Sequence, residues 1–143
     1  MVNSNTPGIH TDPWLDLLRG YITEAVEALE NHGVPVSRSW LDPCDPRDAT
    51  IVYSLAGKTN ALVWDEEYGW RTGSYEGGEQ GERTRLTGTA HLGGSVLPDA
   101  RTMAHRLVTG ETAPPHKFRS YADLRDGLDE ALRQRPNTPA VAG

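Results

Sequence analysis

One thiol, five imidazoles and a run of adjacent carboxylates are the side chains in this sequence with the types and spacing for chemistry. Cys44 would be a nucleophile or metal ligand only as a thiolate. It lies in Asp42-Pro43-Cys44-Asp45-Pro46, where acidic neighbours oppose ionisation, and no helix starts directly after it. It reads as an inert loop thiol. As the only cysteine, it excludes an intramolecular disulfide and a four-cysteine zinc site. His10, His32, His91, His105 and His116 are scattered. No pair has the i, i+4 spacing of a zinc protease helix, and none forms a ligand pattern with Cys44, so no metal is expected. Asp65-Glu66-Glu67 could be an acid/base or cation cluster, but it falls in a predicted hairpin turn, where solvated charges are expected. Catalytic carboxylates need burial or opposed environments to separate their pKa values. Gly93-Gly94-Ser95 lacks both the lysine of a phosphate loop and the G-x-G-x-x-G spacing. Asp99, at the start of the next helix, would repel a phosphate there. No cofactor is expected, and the two glycines read as a tight backbone crossing.

Recognition is the alternative to catalysis. Trp64 and Trp70 flank the Asp65–Gly69 turn and should oppose each other across the hairpin. Trp14 and Trp40 are assigned to the core, because a chain with one phenylalanine must build its interior on other large side chains. If Trp70 and Tyr75 lie on an open sheet face beside Arg71, they form an aromatic and basic patch suited to a partner. The basic concentration is Arg101, His105 and Arg106, followed by Lys117, Arg119 and Arg125. Arg101 and His105 are four apart and share a helix face.

The elements that must position these residues follow from periodicity. A helix is predicted from about Pro13 to His32, with Asp12 as N-cap, Pro13 at its first position and Gly33 as its stop. Trp14, Leu18, Ile22, Ala25, Val26 and Leu29 make its apolar stripe. Alternating, turn-bounded segments predict strands at Val34–Leu41, Thr50–Leu55, Asn60–Trp64, Trp70–Tyr75 and Arg83–Ala90, the last polar as befits an exposed edge. Asp99 caps a helix from Ala100 to about Val108, stopped by Gly110. Ser120 and Asp123 form a capping box for a helix to about Gln134, with Tyr121, Leu124, Leu128 and Leu132 on one stripe. The fold class is therefore α+β: an antiparallel sheet of about five strands, with an N-terminal helix and two C-terminal helices packed on one face. The other face is expected to be free.

With 143 residues, 36% hydrophobic and 24% charged, the chain suits one ordinary core. Residues 12–135 are assigned to a single domain, with flexible tails at 1–11 and 136–143. The formal charge of −6 is uneven. Residues 1–97 carry fourteen acids and seven bases, whereas residues 98–143 carry six acids and seven bases. An acidic first part disfavours nucleic acid. No apolar run approaches the roughly 20 residues of a membrane span, and no signal peptide is read. No membrane association is expected, and the cytoplasm is the expected compartment.

At ALVWDEEYGWR (Ala61–Arg71) and LGGSVLPDARTMAHRLV (Leu92–Val108) the sequence resembles a small uncharacterised family from actinobacteria. Its marks are a W-D-x-x-x-G-W hairpin and a G-G-x-V-L-P lead into a helix. The resemblance spans roughly residues 14–110 and implies a compact domain, with no activity or catalytic residue to carry over. No motif assembles a nucleophile, a base and oxyanion donors. The expected function is thus a small non-enzymatic binding or regulatory module that contacts a protein partner through Trp70, Arg71, Arg101 and His105. The alternative is a small enzyme or small-molecule-binding protein with a pocket between sheet and helices. His91 or His105 would then be the acid/base and Gly93-Gly94 the rim. Oligomeric state is left open.

Overall fold

The computed structural model describes residues 6–42, 47–79, 82–120, 122 and 126–134. In chain order the elements are α1 (Pro13–Asp16), α2 (Leu18–Asn31), β1 (Val36–Asp42), β2 (Asp48–Leu55), β3 (Lys58–Asp65), β4 (Gly69–Gly77), β5 (Arg85–His91), α3 (Ala100–Thr109) and α4 (Leu128–Arg133). The five strands form one antiparallel meander in the order β1-β2-β3-β4-β5. The fold is α+β.

The first helix begins as its residues dictate. The Asp12 side chain accepts from the Trp14 N–H, and Pro13 occupies the first turn. A single irregular residue, Leu17, separates α1 from α2 while keeping right-handed helical angles. The carboxylate of Asp16 there accepts from the His10 backbone N–H and from Arg19. Just before α1, Pro7 is buried, whereas Gly8, Ile9 and Thr11 are exposed. At the other end Gly33 has φ +81°. Its N–H donates to Glu30 O and that of Val34 to Leu29 O, the paired bonds of a Schellman stop.

One apolar layer lies between the helices and the sheet. Leu18, Tyr21, Ile22, Ala25, Val26 and Leu29 of α2 and Met103, Ala104 and Leu107 of α3 meet Ile51, Tyr53, Leu62, Trp64 and Trp70. Trp64 and Trp70 stand directly opposite each other in the β3–β4 register, as expected. Both are buried, and their N–H groups are satisfied: Trp64 Nε1 donates to Val96 O at 2.6 Å and Trp70 Nε1 to the Tyr21 hydroxyl at 3.0 Å. Tyr21 in turn donates to Pro98 O. The two sequence motifs therefore dock on one another. Glycine is required at Gly69, where φ is +74° and a Cβ would lie 3.0 Å from Ser95 O, and at Gly93, where a Cβ would lie 2.6 Å from that of Ala113.

The sheet's second face is not free, contrary to expectation. Trp40, Val52 and Ala61 form a smaller apolar cluster there, flanked by Tyr75 and Leu86. The β4–β5 connection folds back over it: Tyr75 donates to Gly78 O, and Thr84 shares a 2.7 Å hydrogen bond with Thr50 of β2. Arg38 covers the rest, lying 4.9 Å from the Trp40 ring centre and donating to the Tyr75 hydroxyl. Only one end of this face stays open.

Among the described residues the C-terminal helix is α4, Leu128–Arg133. Gly127, with φ +92°, interrupts the helical path, and Asp126 accepts from the Leu128 N–H to start α4. Tyr121, Asp123 and Leu124, part of the predicted stripe and capping box, lie outside the described residues. A buried ionic knot secures this segment. Arg47 is 1% exposed and Glu66 is fully buried; Arg47 donates to Glu66 Oε2 at 3.1 Å and Oε1 at 2.9 Å. Arg47 also reaches Asp129 of α4 and the Trp14 carbonyl, with its guanidinium 4.0 Å from the Trp14 ring centre. Arg119 donates to the same Glu66 Oε1 at 3.1 Å and pairs with Asp126. Removing one partner of a buried ion pair strands the other charge, at a cost of about 3–5 kcal/mol. Glu66→Gln should lose stability of that order in urea unfolding. A loss below about 1 kcal/mol, the range of exposed pairs, would show that the knot is dispensable.

Candidate ligand-binding site

Side chains alternate across a strand. Because Trp64 and Trp70 face the helices, Asp65 and Arg71 must face the other way. The register extends this into a row of charge across the sheet. Asp42 of β1 stands opposite Asp48 of β2, Asp48 opposite Asp65 of β3, and Arg71 of β4 opposite His91 of β5. The row lies at the end of the sheet that the β4–β5 connection leaves uncovered. A cleft of about 310 Å³ opens there, lined by Asp65, Glu67, Tyr68, Arg71, Arg83 and His91.

The turn carboxylates are buried rather than solvated, a correction to the sequence reading, and each does something different. Asp65 Oδ1 accepts from the N–H groups of Glu67 and Tyr68, which shapes the turn, while Oδ2 accepts from Arg71 at 2.7 Å. Glu66 turns away into the ionic knot. Glu67 pairs with Lys117 at 3.6 Å. Lys117 comes from residues 111–120, which follow the rim of the cleft: Ala113 donates to His91 O and Phe118 to Glu67 O.

The cleft presents further donors. Arg83 is exposed and makes no ion pair or hydrogen bond among the described residues. The Tyr68 hydroxyl is likewise unengaged among them, and Arg71 uses one of its nitrogens on Asp65. His91 is half-buried with Nδ1 enclosed and unpartnered among the described residues. Burial, and then the Arg71 charge, hold its pKa below the ordinary value, with Asp65 opposing. At pH 7 this imidazole is neutral.

Asp48 is the group most altered by its surroundings. It is 1% exposed, and neither carboxylate oxygen meets a donor among the described residues. Burial, then the charge of Asp42, pushes its pKa from 3.8 up to about 8, against the opposing influence of Arg83 and Arg71. Two carboxylates cannot hydrogen-bond to each other until one gains a proton, which it then donates to its neighbour. The pair thus holds one proton at neutral pH. Trp40 Nε1 donates to the Asp42 side at 3.0 Å.

The sequence-predicted contact residues do not form one surface. Trp70 is 1% exposed in the core and cannot reach a partner, and its neighbour Arg71 projects to the opposite face. Arg101 and His105 are exposed on α3, which packs against α2 on the helix side. Arg101 lines a separate groove with Glu24, Glu27 and Asp99. The predicted position of a pocket, between sheet and helices, is filled by the apolar layer. The cleft lies on the other face, and of the two candidate histidines it contains His91 and not His105. Gly93 and Gly94 pack near Arg106, which donates to Leu92 O. Cys44 and Arg125 lie outside the described residues. Among the described residues no group of three or more His, Cys, Asp or Glu is arranged to hold a metal ion, and no helix is long and apolar enough to cross a membrane.

The sequence model of a family of unknown function, DUF6292, matches residues 21–109. The chain belongs to that family. No curated protein and no solved structure matches the chain. The DUF6292 span contains every residue lining the cleft together with Asp42 and Asp48, whereas Lys117, Arg119 and α4 lie beyond it. Within that span Asp48, Tyr68 and Arg83 escaped the sequence reading. Asp42 and Asp48 did carry a signal, since two aspartates bracketing a short turn must face each other once the strands pair.

The Asp48 shift has a sign that can be tested. Its folded pKa, about 8, exceeds the unfolded value near 3.8. The folded chain therefore keeps a proton that the unfolded chain releases. Stability is full below about pH 4 and declines as pH rises towards 8, by up to about 1.4 kcal/mol per unit. Asp48→Asn removes this dependence. Its melting temperature should exceed that of the parent at pH 8 by clearly more than at pH 5. An equal difference at both would refute the buried proton.

Proposed function

We propose that this domain is a small-molecule-binding protein whose ligand occupies the cleft at the charged end of the sheet. The observation that carries this reading is the convergence on one concavity of Arg83, the Tyr68 hydroxyl and His91, which have no partner among the described residues, beside Arg71, which spends one nitrogen on Asp65. About 310 Å³ is at the lower end of ligand-site volumes, roughly 300–1,000 Å³, and suits a metabolite-sized molecule rather than a peptide. The acidic partners Asp65 and Glu67 hold the walls in place through Arg71 and Lys117.

Screening a library of small polar molecules by amide NMR should give saturable shifts at Tyr68, Arg71, Arg83 and His91. Arg83→Ala should weaken such binding at least tenfold while leaving the unliganded melting temperature within about 1 °C at pH 6, where Asp48 is protonated and needs no cation. Hits that leave these four amides unmoved would refute the cleft as the site.

A second reading, a protein partner on the outer face of α3, is favoured by one feature. Arg101, His105 and Val108 share a helix face, and Val108 is 39% exposed. Arg101→Ala with His105→Ala should then abolish capture of that partner by the tagged chain; undiminished capture would end this reading.

A further inference from the structure

We propose that the ligand is a small organic monocarboxylate seated on Arg83, and that in alkaline solution binding it raises the proton occupancy of the Asp42–Asp48 pair. This rests on the cleft being the ligand site. Among the lining groups Asp65 is matched by Arg71 and Glu67 by Lys117. Arg83 is the lining cation left without a partner among the described residues. A guanidinium presents parallel N–H donors in a fork that fits a carboxylate. Tyr68 and the neutral His91 lie in the same lining, with ring centres 6.2 Å apart, and offer further hydrogen bonds.

The same geometry limits the charge of the guest. Against the three positive charges of Arg71, Lys117 and Arg83, Asp65, Glu67 and the Asp42–Asp48 pair already bring three negative charges to this end of the sheet when the pair holds one proton. A dianion such as phosphate at neutral pH would add two more, whereas a carboxylate adds one.

Proton uptake follows because Arg83 both lines the cleft and acts on Asp48. Asp48 stands opposite Asp42 of β1 and Asp65 of β3 and feels the charges of Arg71 from β4 and Arg83 from the β4–β5 connection, while His91 of β5 lies one strand further, opposite Arg71. Arg83 and Arg71 are the groups that favour its ionised form. A carboxylate on Arg83 neutralises one of them, so the ionised form of Asp48 becomes costlier and the protonated form is preferred. The bond formed is O–H on the acid pair, and the proton comes from the buffer. Affinity should be flat from pH 6 to 7 and fall as pH rises past about 8. His91, held below its ordinary value by burial and then by the Arg71 charge, lies on the acid side of this fall.

The test uses the full chain with acetate and benzoate as probes, and with phosphate, benzamide and benzylamine for comparison. Binding is mapped by amide NMR, and calorimetry at pH 8.2 in two buffers of different ionisation enthalpy counts protons. Benzoate or acetate should shift Tyr68, Arg83 and His91, and bind at least tenfold more tightly than benzamide. Uptake should be a measurable fraction of one proton per site at pH 8.2 and close to zero at pH 6.5. Asp48→Asn should retain binding with no uptake, and its affinity should not change between pH 7 and 9. If that variant fails to fold, the two-buffer count on the parent chain still decides. Carboxylate binding without uptake would overturn the proton linkage, and phosphate binding as tightly as benzoate would overturn the charge limit. Benzamide or benzylamine in the cleft with no carboxylate there would overturn the ligand class and leave the cleft standing. No probe in the cleft, with the polar library also silent at these amides, would remove the cleft itself.

Discussion

Glu66 lies wholly buried between two guanidinium groups, and the geometry of the charged end depends on it. Its carboxylate accepts from Arg47, which opens β2, and from Arg119, which belongs to the segment rimming the cleft. Through Arg47 the same charge reaches Trp14 at the start of the helical layer and Asp129 on α4. Buried ion pairs are poor sources of net stability, because desolvation opposes the attraction. Their strength is in geometry: a buried carboxylate that must be met by two arginines tolerates few arrangements of the chain around it. The β3–β4 turn is thereby fixed against the termini. Its neighbours Asp65 and Glu67 are then held as the wall of a cleft.

Alternation along β3 and β4 determines what each face of that hairpin can be. Trp64 and Trp70 bind the sheet to α2 and to the 92–98 loop, and their partners Tyr21, Val96 and Pro98 leave no polar atom of those rings unsatisfied. The intervening positions must then point away from the core, and they are charged. The row from Asp42 to His91 is thus a consequence of strand pairing that no local preference would produce. Curling the β4–β5 connection over the middle of this face buries Thr50, Val52 and Ala61 and confines the row to a concavity instead of leaving a flat surface.

Local signals in the sequence were sufficient for most of the fold. The cap at Asp12, the stop at Gly33, the opposed tryptophans and the edge position of β5 all follow from short-range rules. The helix expected to run unbroken from Ser120 to Gln134 is interrupted at Gly127, whose left-handed conformation an apolar stripe does not reveal. The site was less legible. Trp70 and Arg71 are adjacent on a strand, so period-two geometry already forbids both from meeting one partner. Asp65-Glu66-Glu67 looks like a solvated turn in one dimension. The arginines that bury Glu66 arrive from positions 47 and 119, and no local pattern predicts that meeting. Arg83 reaches the face only because a glycine-bearing connection folds back across the sheet.

The Asp42–Asp48 pair runs against ordinary sheet energetics. Like charges placed directly opposite each other destabilise a ladder, and a buried carboxyl without donors adds a desolvation penalty. An asparagine or threonine at position 48 would relieve both. Arg71 and Arg83 offset part of the cost, but Arg83 is exposed and free to engage something outside the chain. A buried acid whose partial compensation comes from a solvent-facing cation is sensitive to whatever occupies that cation. Such an arrangement gives up stability in the unliganded fold, and it ties the proton at the base of the sheet to the occupancy of the cleft above it. Compensating Asp48 from within the core would have cost less but would have broken that tie.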